Sequence, residues 1–306
     1  MSSTIDQVVG TTPTRCAWCD APLDAGSVHL HGRIRCRRCG AATTDPWPTA
    51  EELEAAYGDW YRPEGGNRFS FAGDAILKST RGLLAGRIDS IAPPGPVLDV
   101  GAGDGTLLDA LRRHGREATG LERSSDRDDV RDDSLEDVRG EWAAVIFWHS
   151  LEHLPEPGGA IRQAARLLKP GGVIAVAVPN GESLQAAAFG DDWLHLDLPR
   201  HLVHLSATSL QAGLRSSGFA IERTSFSRGG QIVIGWLDGL VGRLPGRPSL
   251  YQALRRAPAR KTPQPARPRA LAIAAAVLLL PVAWVASAIE VAMRRGGTVY
   301  VEGRRV

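Results

Sequence analysis

Apolar positions recur along this chain with two periods, and the switches between them lay out its elements. Val97, Leu98 and Val100 form a short apolar run directly after the breaker Pro93, Pro94, Gly95 and Pro96, which suits a buried strand. Leu107, Leu108 and Leu111 then recur at helical spacing until Gly115, where that helix should stop. Residues 118–121 read as a second strand ending at Glu122. Residues 142–148 and 173–178 are apolar runs, the second of them β-branched, as strands covered on both faces are. Between them, 157–168 reads as a helix closed by Gly171 and Gly172. Residues 219–226 and 297–306 predict two further strands. Upstream, Thr49 and Glu52 form a capping box for a helix to about Tyr57, with Gly58 as its stop. Ile76, Leu77, Leu83, Leu84 and Ile88 suit a helix over 73–91 that leads into the first strand.

The turn between the first strand and its helix carries the chemistry. Gly101, Gly103 and Gly105 permit a tight bend and a close approach of backbone to a ligand. An acid about 20 residues on, Glu122, suits the hydroxyls of a ribose at the carboxyl edge of a parallel sheet. Asp99 sits inside the strand end, where it would repel a pyrophosphate and attract an ammonium group. The turn reads Asp-x-Gly-x-Gly-x-Gly, not Gly-x-Gly-x-x-Gly. Both details fit S-adenosylmethionine (SAM), which has an amino acid end, a sulfonium and no phosphate. A dinucleotide site and a purely structural turn are the alternatives.

Residues 96–122 resemble the first motif of class I SAM-dependent methyltransferases. Residues 147–157, with His149, Glu152 and His153, and residues 168–180 resemble later motifs of that family. Trp193, Leu196, Asp197, Leu198, Pro199, Arg200, His201 and Leu202 resemble its ubiquinone-type O-methyltransferase branch. The resemblance covers about residues 75–226. It implies an α/β, Rossmann-like, seven-stranded sheet with its last strand antiparallel. It also implies that Asp99, Gly101, Gly103, Asp104 and Gly105 hold the amino acid end of SAM and Glu122 its ribose. Ser134 and Leu135 would border the adenine, and His149 would lie at the cofactor edge. His149, His153 and His201 are the candidate bases, although His153 and His201 have purely structural readings too. Two departures stand out. Only residues 123–133 remain for the second helix, so a turn or a frayed helix is expected. Ser134 stands where the family carries an acid, and Asp133 is the alternative contact.

Composition adds a second centre. With 306 residues there is room for one large domain and a small one, and a net charge of +2 excludes a general polycation for nucleic acid. Residues 1–14 lack a basic-then-apolar export signal, so a cytoplasmic protein is expected. All four cysteines lie in C-x2-C-x16-C-x2-C spacing: Cys16, Cys19, Cys36 and Cys39. Two such turns can close a structural tetrahedral Zn²⁺ site with no open position; four free thiols are the alternative. His29 and His31 lie on the hairpin between the turns and read as surface residues. Arg33, Arg35, Arg37 and Arg38 make the ribbon basic, towards nucleic acid, a phosphorylated lipid or only solvent. Trp47, Tyr57, Trp60, Tyr61, Phe69 and Phe71 either glue the ribbon to the core or roof an acceptor pocket.

The last third changes character. Between Asp238 and Glu290 there are eight Arg or Lys and no acid, and 270–289 carries no charge. That run is long enough to cross a bilayer. The strand that follows must return to the same sheet, so an in-plane or re-entrant hairpin bent at Pro281 is expected, with arginines at anionic head groups. A helix buried on its own domain or in a dimer is the alternative. The layout is then a zinc ribbon (1–45), connecting helices (46–92), a methyltransferase core (93–230 and 296–306) and an apolar, basic insertion (231–295). The leading function is methyl transfer to a lipid-linked or membrane-associated acceptor, on a protein peripheral or monotopic at the cytoplasmic face of the membrane. RNA or a soluble natural product as acceptor, and a non-catalytic SAM-binding scaffold, are the alternatives; nucleic acid is the less expected partner.

Overall fold

The computed structural model describes residues 10–58, 71–123, 125, 127–227, 231–255 and 266–306. Trp60, Tyr61 and Phe69 lie outside them, as does the side chain of Phe71. In chain order the strands are β1 (Val28–Leu30), β2 (Arg33–Arg35), β3 (Ala42–Thr44), β4 (Val97–Val100), β5 (Ala118–Leu121), β6 (Val130–Arg131), β7 (Trp142–Trp148), β8 (Leu168–Pro179), β9 (Val203–His204), β10 (Phe219–Ser225) and β11 (Thr298–Arg305). The helices are α1 (Ala50–Ala56), α2 (Phe71–Ile91), α3 (Thr106–Arg113), α4 (Pro157–Leu167), α5 (Leu184–Phe189), α6 (Ala207–Ser216), α7 (Ile232–Gly242), α8 (Leu250–Leu254) and α9 (Ala266–Ala292).

Seven strands form one sheet in the order β10-β11-β8-β7-β4-β5-β6. β4, β5, β6, β7 and β8 run parallel, and β11 is antiparallel to both of its neighbours. The inner strands β7 and β8 are largely apolar because helices cover both faces, whereas β10 at the edge carries charges and is partly exposed. Val145 and Phe147 point to the side that also holds α4 and α6, whereas Ala144, Ile146 and Trp148 point to α2 and α3. Two carboxylates are buried in this sheet among the described residues, Asp99 on β4 and Glu302 on β11. Glu302 on β11 is fully enclosed and takes a bidentate pair from Arg87 on α2, at 2.9 and 2.6 Å, which removes the penalty of a lone buried carboxylate.

The short connection after Glu122 is a turn, with the two-residue strand β6 following it. A cluster of ion pairs fills the place of a helix. Arg127 pairs with Asp109 at 2.7 Å and Asp129 at 2.8 Å, and Arg112 also reaches Asp129. The Arg127 guanidinium lies against Gly105, where a Cβ would overlap it.

The N-terminal ribbon is built into the core rather than tethered to it. β1, β2 and β3 form a small sheet to which β9, from the loop before α6, adds a fourth strand. Periodicity gave no sign of β9, because two residues are too short to show a period. Trp18 is buried, its indole N–H donates to the Ser209 carbonyl at 3.1 Å, and Gly213 of α6 leaves the room its ring occupies. Ribbon and core share one hydrophobic cluster.

The expected hairpin at Pro281 is corrected: α9 is one helix with Pro281 inside it. Alanine and leucine on both sides favour the helix. Ala276 and Ala283, which flank the proline, are buried. Together these outweigh the single N–H lost to the ring. The partner expected from a hairpin is supplied by α7 and α8, which pack against α9.

Trp18→Ala should cost about 3–5 kcal/mol in urea unfolding. A loss below about 1 kcal/mol would mean that the ribbon merely rests on the surface.

Candidate active site

The carboxyl ends of β4, β5 and β7 build one cradle. After Val100 the chain bends through Gly101, Gly103 and Gly105, with φ of 83°, 62° and 75°. A Cβ at Gly101 would overlap Ser150, whose hydroxyl donates to the Val100 carbonyl, so the bend is pressed against the end of β7. Nothing lies within 4 Å of the position a Cβ would take on Gly103. At the end of β5, Glu122 accepts from the Gly103 N–H and from the Arg123 N–H, each at 3.0 Å. The carboxylate is thereby aimed across the mouth of the turn.

Asp99 is the centre of this arrangement. It is buried, and its Oδ1 has no hydrogen-bond partner among the described residues. Burial pushes its carboxyl up to about 7; Arg81 opposes the rise, while Glu122 and Asp104 add to it. A buried, unpartnered carboxylate oxygen at the edge of a glycine turn has the chemistry to receive a cation. Asp104 accepts from the Thr106 N–H at 3.0 Å and so shapes the start of α3.

The residues expected to border adenine are engaged elsewhere. Ser134 donates to Asp137 at 2.7 Å, the Leu135 side chain is buried in the core, and the Leu135 carbonyl accepts from Gln163 at 3.3 Å. Asp133, the alternative contact, pairs with Arg131.

The three histidines occupy different settings. His149, directly after β7, has φ 54°, an uncommon conformation for a non-glycine residue, held by its N–H on the Ala177 carbonyl at 2.8 Å. Its Nδ1 lies 3.5 Å from Glu152, a carboxylate 1% exposed with no hydrogen bond of its own among the described residues. His153 Nδ1 is 2.9 Å from both the Tyr57 hydroxyl and the Arg200 carbonyl. A carbonyl can only accept, so the proton sits on Nδ1. Tyr57 is thus brought to the site edge, and Trp47 packs in the ribbon-core cluster. His201 donates from Nδ1 to the His195 carbonyl at 2.9 Å and stacks edge-on to His153, 4.7 Å between centroids. Burial keeps His201 well below its ordinary value and holds His195 and His204 at about 3, so these three rings are neutral.

His201 and His204 are positioned from the ribbon. Thr44 on β3 donates to the His201 carbonyl at 2.6 Å and lies 3.2 Å from His204 Nε2. Glu152, Ser150 and Arg127 were not singled out by their spacing. The three-residue step from His149 to Glu152 is the one signal in the sequence that could have suggested this pair.

A second centre lies in the ribbon. Cys16 and Cys39 sulfurs are 3.6 Å apart, those of Cys19 and Cys36 3.8 Å, and all four lie within 4.8 Å of one another. Four thiolates around one Zn²⁺ at about 2.3 Å would stand about 3.8 Å apart, whereas a disulfide needs about 2.05 Å. Both knuckles are built alike. Cys16 N–H donates to Ala21 and Cys36 N–H to Ala41, each at 2.8 Å, with Asp20 and Gly40 at positive φ. His29 and His31 are exposed on the hairpin, away from the sulfurs, where each faces a carboxylate at 3.9 Å.

Residues 74–224 match a family profile described as a methyltransferase domain. The ubiquinone biosynthesis O-methyltransferase of Xanthomonas oryzae pv. oryzae (strain PXO99A) is 32% identical over 153 residues, 42% of this chain and 64% of that protein, so the match spans a little under two thirds of that relative's length. The protein of the same description from Xanthomonas campestris pv. campestris (strain B100) is 30% identical over 181 residues, 50% of this chain and 76% of that one. A crystal structure of a SAM-dependent methyltransferase from Archaeoglobus fulgidus overlaps at a TM-score of 0.45 and 15% identity, covering 77% of this chain and 99% of that one.

The raised Asp99 value fixes a pH dependence. Below about 7 the free protein keeps the proton, and a bound ammonium group requires the carboxylate. Affinity for SAM or its demethylated product should therefore fall about tenfold per pH unit below 7 and level off above it. Calorimetry between pH 5.5 and 8.5 measures the slope, and Asp99→Asn should flatten it.

Proposed function

This chain belongs to the class I SAM-dependent methyltransferases, and we propose that it transfers the methyl group of SAM to an acceptor presented by a membrane. The observation that carries the donor site is the buried Asp99 oxygen beside the Gly101, Gly103 and Gly105 bend. Asp99 would take the amino group, with Asp104 shaping the turn beneath it. Glu122 would exchange its bond to the Gly103 N–H for the ribose hydroxyls. The adenine would lie by Ser134 and Leu135, where a hydroxyl replaces the carboxylate that the family supplies. When bound, SAM supplies a methyl carbon on a positively charged sulfur, which leaves readily.

The chain's own residues then have two tasks. They must align an acceptor atom with that carbon, and they must accept its proton. His149 is the base best placed for the second. It stands at the end of β7 beside Ser150, which touches the glycine bend, and Glu152 can stabilise its protonated ring. His153 and His201 are engaged with Arg200, His195 and the ribbon. They act as positioning residues that hold the loop bearing Trp193 and Leu196. A membrane-borne acceptor is supported by α9, whose apolar face is exposed. The four-cysteine ribbon would carry structural zinc, in keeping with a reducing, cytoplasmic setting; through β3 and β9 it sets the His201 loop.

Transfer of radiolabelled methyl from SAM to total membrane lipid, but not to RNA or soluble extract, is the expected outcome. Label in RNA alone would sink the membrane reading, and no label with intact SAM binding would favour a scaffold. Glu122→Ala should weaken SAM binding at least tenfold, ~1.4 kcal/mol. His149→Gln should lower kcat while leaving SAM affinity within about twofold.

Metal analysis should find one zinc per chain. Removing it with a chelator should release the ribbon and reduce turnover more than SAM affinity. Less than half an equivalent of zinc in protein purified under reducing conditions would overturn the zinc assignment.

A further inference from the structure

The insertion is packed the wrong way round for water. α9 buries Ala272, Ala276, Ala283 and Ser287 against its own protein and turns Leu271, Val277, Leu278, Val282, Trp284 and Val285 outward. Leu278 is 79% exposed and Val277 66%, while Ala272 and Ala283 are at 0%. A helix at a water surface puts its large apolar residues inside. Small residues at the helix contact and bulky residues outside is the arrangement of helices that meet lipid. The outward face carries no charge from 270 to 289.

The ends of α9 show how it would lie. Near its start, Arg269 donates to the Ala253 carbonyl at 2.9 Å. Near its end, Glu290 is fully buried and accepts from the Gln185 backbone and side chain and from the Trp236 indole, at 3.1, 2.9 and 2.8 Å. β11 begins at Thr298 and lies between β8 and β10, second from one edge of the sheet. Both ends are therefore fastened to one domain, and 27 residues run about 40 Å along its side. Such a helix lies in the plane of a leaflet.

Directly beyond the apolar face, a cleft opens between α6 and the end of α9. Arg294, Arg295 and Phe226 line it with Thr208, Gln211 and Glu182. Arg294 stands over the Phe226 ring at 6.0 Å, and Arg295 donates to the Glu182 carbonyl at 3.0 Å. Two guanidinium groups, outnumbering the single Glu182 carboxylate, suit a phosphate. The cleft also lies where β8 and β10 end, on the sheet edge that carries the SAM cradle.

We propose that α9 seats this protein monotopically on an anionic leaflet, its bulky face among the acyl chains and a lipid phosphate in the Arg294–Arg295 cleft. A second copy of the chain is the competing occupant. It would cover one stripe of α9, whereas the exposed apolar surface wraps most of the helix, and the basic residues at both ends match an anionic surface. This deepens the reading of a membrane-presented acceptor and rests on it for its purpose. Vesicle binding is measured without turnover, so either can fail alone.

The full chain should float with phosphatidylcholine vesicles containing 30% phosphatidylglycerol and not with phosphatidylcholine alone, at low salt. The double variant R294A/R295A should weaken that partition roughly thirtyfold, from two basic residues near the surface. The double variant L278E/V285E, changed only on the exposed face, should abolish it while SAM binding by calorimetry stays intact. Folded, SAM-binding protein that ignores anionic vesicles overturns the proposal, as does a stable dimer that L278E/V285E converts to monomer. Unchanged partition of R294A/R295A overturns the phosphate cleft.

Discussion

A carboxylate kept out of water at the end of β4 sets the terms for its surroundings. Among the described residues Asp99 lacks an ion-pair partner close enough to hold it ionised, and burial raises its carboxyl to about 7. Such a group is costly unless a cation arrives. The glycine bend beside it leaves the room for one, and Glu122 and Ser150 brace that bend from β5 and β7. The doubly covered sheet makes the burial feasible, because its central strands have no wet face. The buried carboxylate at the proposed donor site is thus a local consequence of a sheet built dry.

Around this centre the chain uses ties in place of missing elements. The connection after Glu122 is too short for a helix, and Arg127 with Asp109 and Asp129 closes the gap. Hydrogen bonds from Arg127 and Arg112 hold the Asp129 carboxyl well below its usual range. The ribbon performs a similar service on the other flank, where Thr44 fixes the loop that carries His201 and His204. Both devices position backbone at the sheet edge, and Arg127 lies directly against Gly105 of the glycine bend.

Most of the sheet was legible in the sequence, since its buried strands are uniform apolar runs and its turns carry glycine. The cysteine knuckles were legible because four ligands at fixed spacing leave few other readings. What escaped detection depends on contacts far apart in the chain. β9 is two residues long and becomes a strand only through β3. The Glu152 partnership with His149 needs the turn after β7 to bring them together. Pro281 suggested a bend, yet packing of Ala276 and Ala283 on either side carries the helix through it. The side of α9 that faces outward could not be read from a run with no charged residues, because every direction looks alike until its neighbours are in place.

The position of β11 has a consequence for how the molecule comes into being. It fills the space between β8 and β10, yet it is synthesised after α9. Until it docks, a greasy rod hangs beside a sheet that is open between β8 and β10. Early capture of that rod by a lipid surface or a chaperone would keep it from clogging the gap that the last strand must enter.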